Sequence, residues 1–386
     1  MIKGLLRRFL HQFHLLCALC FGLFLFASAI TGSILSWRHA LDASLNPELF
    51  HVEAAPASCS SKSCEHAQQA ALIDWLNTQP GYQRPSMLSF PENPEHAVIA
   101  WYKLPAPANT GWQLARSRQV MIDPLRRQIL GERIWGEIGF SRALIIPTLF
   151  HIHRYFLLGD TGKTLMAVTG LVLLLSCLQG LLLWLPAASR QAWKKSLTVH
   201  WRGSLPAFLY SLHRSAGVLL ALLLMMLGLT GIYFNQPAWL SPVFPAQVKK
   251  LSDTAPASTG VQALPLTSLL AIAQQAFPDA RISRISLPAS VGKPLEIRLR
   301  QPGELRKEDG ASRISLDPYS GAIRQLIDPL NMQGSERWVS WFYPLHSGEI
   351  GGTAGRILIS VCGLGLLLLM VSGYVMWWKK RRVSLS

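Results

Sequence analysis

A membrane α-helical fold is predicted: a four-transmembrane-helix bundle built from two repeats, with two α+β domains outside the bilayer. Three observations predict it. Half of the 386 residues are apolar and only 15% are charged, a composition outside the usual range of soluble globules. Four apolar runs, residues 15–37, 164–185, 216–234 and 356–378, reach the roughly 20 residues that a bilayer core requires. The chain also repeats itself at two nearly equal offsets.

The repeat gives the elements their order. "FLHQFH", ending at His14, matches "FLYSLH", ending at His213, and Thr31-Gly32 matches Thr230-Gly231 at the same offset of 199. The second and fourth runs superpose at an offset of 193, which pairs His153 with His346, Gly162 with Gly355, Lys163 with Arg356, Gly170 with Gly363, Gly180 with Gly373 and Trp184 with Trp377. An N-terminal segment and first span (1–37) thus lead into an outer domain (38–163) and a second span. A short loop (186–215) follows, then the third span, a second outer domain (235–355), the fourth span and a tail (379–386). Lys3, Arg7 and Arg8 before the first run, with Ala27-Ser-Ala29 inside it, also suit a cleaved signal peptide. The run is long for that purpose and has a partner in the third span, so it reads as a retained helix.

Charge orients the chain. The N-terminus, the short loop and the tail carry lysines and arginines and no acidic residue, whereas all 21 Asp and Glu lie in the two long polar segments. Short basic segments stay on the cytoplasmic side. Both termini are therefore expected inside, with both long segments outside. The formal charge of +16 is a product of this topology, and no nucleic-acid partner is implied.

Each long segment reads as one helix followed by strands. In the first, residues 65–77 suit a helix, and "HAVIAWYKL", "WQLARSRQVMID" and "RRQILGERI" suit strands. In the second, residues 266–277 suit a helix, "ARISRISL" and "LEIRLR" suit strands, and "SRISLDPYSGAIRQLI" suits a hairpin turning at Asp317-Pro-Tyr-Ser-Gly321. Residues 54–57, 104–109, 242–246 and 254–259 are rich in Pro, Ala or small polar residues and read as linkers or loops.

"HIHRYFLLGDTGKT", residues 151–164, resembles a phosphate loop only at its end. A Walker A motif needs glycine where Leu157 stands, and the repeat partner "GGTAGRI" lacks the lysine. Among the cysteines, Cys17, Cys20, Cys177 and Cys362 lie in or beside spans as small hydrophobes, while Cys59 and Cys64 are spaced for a short disulfide in an oxidising compartment.

Of eleven histidines, four are related by the repeat. His14 and His213 begin their spans at the inner edge; His153 and His346 precede theirs at the outer edge. A lone interfacial histidine is most simply bonded to a carbonyl or headgroup, but ionisable groups at membrane depth also mark functional sites. A pseudo-two-fold axis along the bundle would bring His14 to His213 and His153 to His346. Two facing imidazoles between apolar walls suit a bis-histidine b-type haem, whereas bare zinc would need two further ligands at each site. Two haems are therefore expected, with His11, His39 and His151 as alternative ligands. Arg7, Arg8, Arg202 and Arg214 flank the inner pair, and Arg154, Lys163 and Arg356 flank the outer pair, as cations for haem carboxylates. One haem at each membrane face would relay single electrons outward. The inner segments are too short for a flavin or nicotinamide domain, so the donor would be a separate cytoplasmic protein or quinol. Trp135, Trp338, Trp341, Phe342 and Tyr343 are candidates for docking an outer acceptor or for anchoring at the interface.

Leu-x-x-x-His at the start of a span, Thr-Gly near its end, the "LHR" histidine and the outer units closing on Asp-Pro-x-Ser-Gly-x-Ile are similar to those of the PepSY-associated transmembrane proteins. The resemblance covers almost the whole chain, except that "DPLRRQI" in the first outer domain lacks the Ser-Gly of the turn. Four spans with two PepSY-like units look like the iron-regulated inner-membrane siderophore reductases. That resemblance implies two b-type haems on His14, His213, His153 and His346. It also implies reduction of a ferric siderophore of the ferrioxamine hydroxamate type in the periplasm, releasing Fe(II). The rival functions are a siderophore or iron transporter, which would want acidic or amide groups within the spans, and a regulatory binding module, which would leave the paired histidines without a task.

Overall fold

The computed structural model describes residues 2–53, 59, 61–105, 113–244 and 262–383. The linkers read at 54–57 and 254–259, and parts of those at 104–109 and 242–246, lie outside the described residues.

The chain begins with α1 (Ile2–Leu35) and two short helices, α2 (Arg38–Leu45) and α3 (Pro47–Phe50). Then come α4 (Lys62–Thr78) and four strands, β1 (Met87–Ser89), β2 (Val98–Lys103), β3 (Ser117–Asp123) and β4 (Gln128–Trp135). The half closes with α5 (Arg142–Tyr155) and α6 (Gly159–Trp184), and α7 (Arg190–Leu197) connects it to the next. The second half runs through α8 (Leu205–Asn235), α9 (Pro237–Leu240), α10 (Leu266–Ala276), β5 (Arg281–Ser286), β6 (Leu295–Arg300), β7 (Ser312–Leu316) and β8 (Ile323–Ile327). It ends with α11 (Gly334–Ser347), a 3₁₀ turn at Glu349–Gly351 and α12 (Gly352–Val383).

Helices α1, α6, α8 and α12 are long and apolar enough to cross a membrane, which makes this a multi-pass membrane protein. All four start earlier than the apolar runs do, at residues 2, 159, 205 and 352 instead of 15, 164, 216 and 356. An apolar run measures the bilayer, whereas the helix continues until its backbone ladder is interrupted. Arg7, His11 and Tyr210 do not interrupt it. His14 and His213 consequently sit well inside α1 and α8, not at their starts.

Neighbouring helices touch in the order α1–α6–α8–α12 and back to α1. Thus α1 stands diagonally to α8, and α6 to α12. The centre is apolar: Leu25, Ala29, Leu173, Leu224, Cys362 and Leu366 form one buried cluster. In hydrocarbon the drive to associate is close packing, and α6 meets α8 where a Cβ on Gly170 would lie 2.9 Å from the Gly228 carbonyl oxygen.

The strands of both long segments join in one antiparallel sheet of order β4-β3-β2-β1-β5-β6-β7-β8. The seam is β1 with β5, Met87–Ser89 against Arg284–Ser286. Helices α4 and α10 cover one face through Leu72, Ile73, Leu76, Leu269, Leu270 and Ala273, against strand residues such as Leu88, Val120, Ile285, Ile297 and Ile314. On the opposite face, Arg133 of β4 pairs with Asp42 of α2 at 2.9 and 2.7 Å and also donates to Gln119 and to the Ala143 carbonyl. Both hairpin turns close alike: Asp317 Oδ1 accepts from the backbone of Tyr319 and Ser320, and Asp123 Oδ1 from Leu125 and Arg126. Where the second turn has Gly321 at φ +72°, the first holds Arg127 at φ +49°, so the missing glycine alters the turn residue and not the turn.

Candidate cofactor sites: two facing pairs of imidazoles

Each end of the bundle holds one pair of the repeat-related histidines. His14 on α1 and His213 on α8 face each other across the diagonal, with ring centroids 6.4 Å apart. His153 on α5 and His346 on α11 do so at the sheet end, with centroids 6.2 Å apart. The sheet-end rings lean on Thr31 of α1 and Thr230 of α8. From His14 to Thr31, and from His213 to Thr230, is seventeen residues, so the pairs lie about 26 Å apart along the helices. That is close to the thickness of a bilayer core.

The bonds at Nδ1 fix the chemistry of the rings. Thr31 Oγ1 lies 3.0 Å from His153 Nδ1, and Thr230 Oγ1 lies 2.7 Å from His346 Nδ1. Each hydroxyl already donates its one proton to the carbonyl four residues back, Ala27 at 2.6 Å and Met226 at 2.8 Å. The threonines can therefore only accept, so Nδ1 carries the imidazole proton and Nε2 keeps its lone pair. Ser372 treats His213 in the same way, lying 3.0 Å from Nδ1 while donating to the Leu369 carbonyl at 3.1 Å. At the fourth histidine the pattern breaks. His14 Nδ1 is buried and meets no side-chain acceptor, only the backbone at Ser176, and Oε1 of Gln179, which occupies the position related to Ser372 by the offset of 193, is buried with no partner among the described residues. Burial pushes the pKa of His153 down to about 4 and that of His346 to about 3, so both sheet-end rings are neutral donors at physiological pH.

A glycine lies beside the Cε1 carbon of every ring: Gly32 at His153, Gly231 at His346, Gly180 at His14 and Gly373 at His213. At Gly32 the approach is tightest, since a Cβ there would stand 2.9 Å from the His153 ring carbon. The four glycines come from four different helices, so each spanning helix presents a smooth backbone to one imidazole.

The corner from α5 into α6 explains "GDTGKT". Phe156 and Leu157 take φ +43° and +62°, and a Cβ on Gly162 would fall 1.6 Å from the Tyr155 carbonyl oxygen. A Cβ on Gly355, its partner at the other corner, would likewise run into the Gly348 carbonyl. The glycines let two helices fold back sharply, which sets His153 and His346 against the bundle.

Other expected residues are placed differently. His151 is buried, donates from Nδ1 to the Pro147 carbonyl at 2.7 Å and stacks on Tyr155, so it faces no other histidine. His11 is exposed, and His39 pairs with Glu308 at 2.8 Å. Of the flanking cations, Lys163 pairs with Asp160 and Arg356 with Glu308, each at 2.6 Å, whereas Arg214 and Arg7 donate to backbone carbonyls. Among the candidate docking aromatics Phe342 is buried against Tyr233 and Phe244, and Trp135 packs on Phe150 and His151. Tyr343 accepts from Arg38 at 3.2 Å, and Trp338, beside Trp341, is exposed. Cys59 and Cys64 are joined in a disulfide. Thr31, Thr230 and Ser372 were missed as site residues, although Thr31-Gly32 and Thr230-Gly231 stood out as repeat landmarks.

No curated protein is similar enough to the chain to match it. Both imidazole pairs, the sheet and the spanning helices, apart from the first turns of α1 and the last residues of α12, lie within residues 11–380, which match the PepSY-associated TM region, and the chain belongs to that PepSY-associated transmembrane family.

Proposed function

We propose that this is an inner-membrane dihaem b protein that carries electrons outward to a ferric siderophore. It would have both termini in the cytoplasm and two PepSY-like α+β units of a duplicated chain in the periplasm. The observation that carries the reading is the pair of imidazole separations, 6.2 and 6.4 Å. Facing imidazoles at that separation leave room for one metal between each pair, so His14 with His213 and His153 with His346 would each hold one haem. Haem bound there would supply one-electron redox chemistry.

The chain's own residues supply the rest. Thr31, Thr230 and Ser372 hold the imidazole protons away from the facing nitrogens. The apolar cluster around Leu224 and Cys362 keeps water and ions out of the path between the pairs. Nothing acidic lines that path among the described residues, which favours electron transfer over ion or siderophore transport. Electrons would enter at His14 and His213 from a cytoplasmic or quinol donor and leave at His153 and His346 toward the chelate, ferrioxamine-type hydroxamates being the class that the resemblance implies. Reduction loosens hard-oxygen chelation because Fe(II) carries less charge.

The reduced-minus-oxidised visible spectrum of the purified full-length protein tests the reading. Soret and α-band changes are expected, with about half of the haem lost in His153→Ala or His346→Ala. A featureless difference spectrum refutes the proposal, and full haem in both variants refutes the ligand assignment.

A further inference from the structure

The sheet face opposite α4 and α10 carries a row of like charges. Arg284 of β5 stands directly across from Arg298 of β6, and Arg298 directly across from Arg313 of β7. Residues in such register point to the same face, and like charges directly opposite one another are destabilising. The row is only partly answered. Asp309 reaches Arg284 at 3.3 Å, Arg298 at 3.7 Å and Arg306 at 3.2 Å with one oxygen. Arg313 is exposed and makes no ion pair with the described residues. Arg284 and Arg306 each bury an Nε without a partner.

The first half shows what a settled row looks like. Its cross-strand register places Met87, Trp101, Gln119 and Arg133 in line. The single charge there is met bidentately by Asp42, with Gln119 completing its bonds. Nothing comparable neutralises the second row.

Its position matters as much as its charge. Arg306 lies over the Tyr343 ring at 4.0 Å, and Arg38 donates to the Tyr343 hydroxyl. Tyr343 is one turn before His346 on α11. Through Asp309, Arg306 and Tyr343 the row is thus linked to the helix that carries His346, and it runs from there across three strands.

We propose that the Arg284–Arg298–Arg313 row, with Arg306, is a docking surface for an anionic, oxygen-rich ligand, namely a ferric chelate bearing free carboxylates. That the anion is an iron chelate rests on the electron-transfer reading; the preference for an anion does not. Carboxylate oxygens would take the solvent-facing guanidinium N–H groups, those of exposed Arg313 first, in charge-assisted bonds and bring the metal toward the histidine pair. Within hydroxamate-type chelates, the row selects those of net negative charge over those of net positive charge.

The test uses redox-inert gallium(III) chelates, so it reads binding without turnover. The full-length protein in detergent is titrated with gallium(III)–citrate, net negative, and gallium(III)–desferrioxamine B, net positive. The anionic chelate is expected to bind more tightly, and raised ionic strength should weaken it. Arg313→Gln and Arg298→Gln should each weaken the anionic chelate roughly tenfold and leave haem content unchanged. Arg313 is exposed, so its variant stays informative if Arg298→Gln, at a half-buried position, fails to fold. Equal or tighter binding of the cationic chelate overturns the proposal, as does anionic binding that Arg313→Gln leaves untouched. Loss of haem with chelate binding unchanged also overturns it, because the arginines would then serve the cofactor's carboxylates. A protein without haem that still prefers the anion refutes the electron-transfer reading and leaves the anion site standing.

Discussion

Replacing Thr230 by Val removes the acceptor of His346 Nδ1 and leaves nearly the same volume. The bond at 2.7 Å is the shorter of the two threonine–histidine contacts. Its loss leaves a buried N–H unsatisfied at about 1–3 kcal/mol. Alternatively, the proton moves to Nε2 and cancels the lone pair that faces His153. Loss of such an outer-shell partner typically weakens metal binding by about 10–100-fold, or about 1.4–2.8 kcal/mol, so the two routes to the magnitude overlap. Transfer of haem from the purified protein to an excess of an apo-globin acceptor, followed in the Soret band, reads it directly. Wild type should release its haem slowly. Thr230→Val should release about half of it 10–100-fold faster, because only the sheet-end pair is touched. Thr230→Ser keeps the hydroxyl and should stay near wild type. If Thr230→Val releases haem as slowly as wild type, or if Thr230→Ser is as fast as the valine variant, the threonine does not orient the ring.

Three further outcomes follow from other parts of the molecule. Gly32→Ala places a methyl 2.9 Å from the His153 ring and should cost sheet-end haem in a spectrum of the loaded protein. Gly4→Ala, which meets nothing within 4 Å, should not, and equal haem in both would show that the ring has room to retreat. Arg133→Met leaves Asp42 without its partner on the inner sheet face and should destabilise by about 3–5 kcal/mol, read as earlier denaturant unfolding. Most of that should return in the Arg133→Met, Asp42→Leu pair, and an unshifted single variant would mean that the pair is dispensable. Glu308 is held down to about 2, its burial being outweighed by His39, Arg38 and Arg356. A carboxylate depressed in the fold contributes stability above its ordinary pKa near 4.5 and loses it as pH falls toward 2. Hydrogen exchange at the start of α12 should therefore quicken between those values in wild type, and Glu308→Gln should flatten the dependence; an unchanged acid profile in the variant would assign the transition elsewhere.

Periodicity made much of this molecule readable before its structure. Apolar runs marked the spans, alternation marked β5 and β6, a turn motif marked the β7–β8 hairpin, and the two offsets picked out His14, His153, His213 and His346. Local pattern failed where geometry is not local. β1 is three residues between Pro85 and Pro91, too short for alternation to register. α5 and α11 contain Pro147 and Pro344, which disguised them as lead-in to the spans. Thr31 and Thr230 reach their histidines from distant helices, so no spacing could link them. The arginines of "RISRIS", "LEIRLR" and "SRISL" were visible one strand at a time, but only the register sets them opposite one another. Lys163 and Arg356 read as free cations because their carboxylate partners are a helical turn or an entire loop away.

The seam between β1 and β5 has a practical meaning for anyone cutting the chain in two. Three β1 residues pair there, and backbone bonds from Leu287 to Ser86 and from Phe90 to Ser283 extend it, so it supplies each half's inner strand with its hydrogen-bond partners on that edge. A chain stopping after α8 would present β1 as a bare edge with Leu88 at its centre, a template for pairing with other copies. Such a fragment should form aggregates unless the complementary half is made beside it, and the two co-expressed pieces should find each other through that edge.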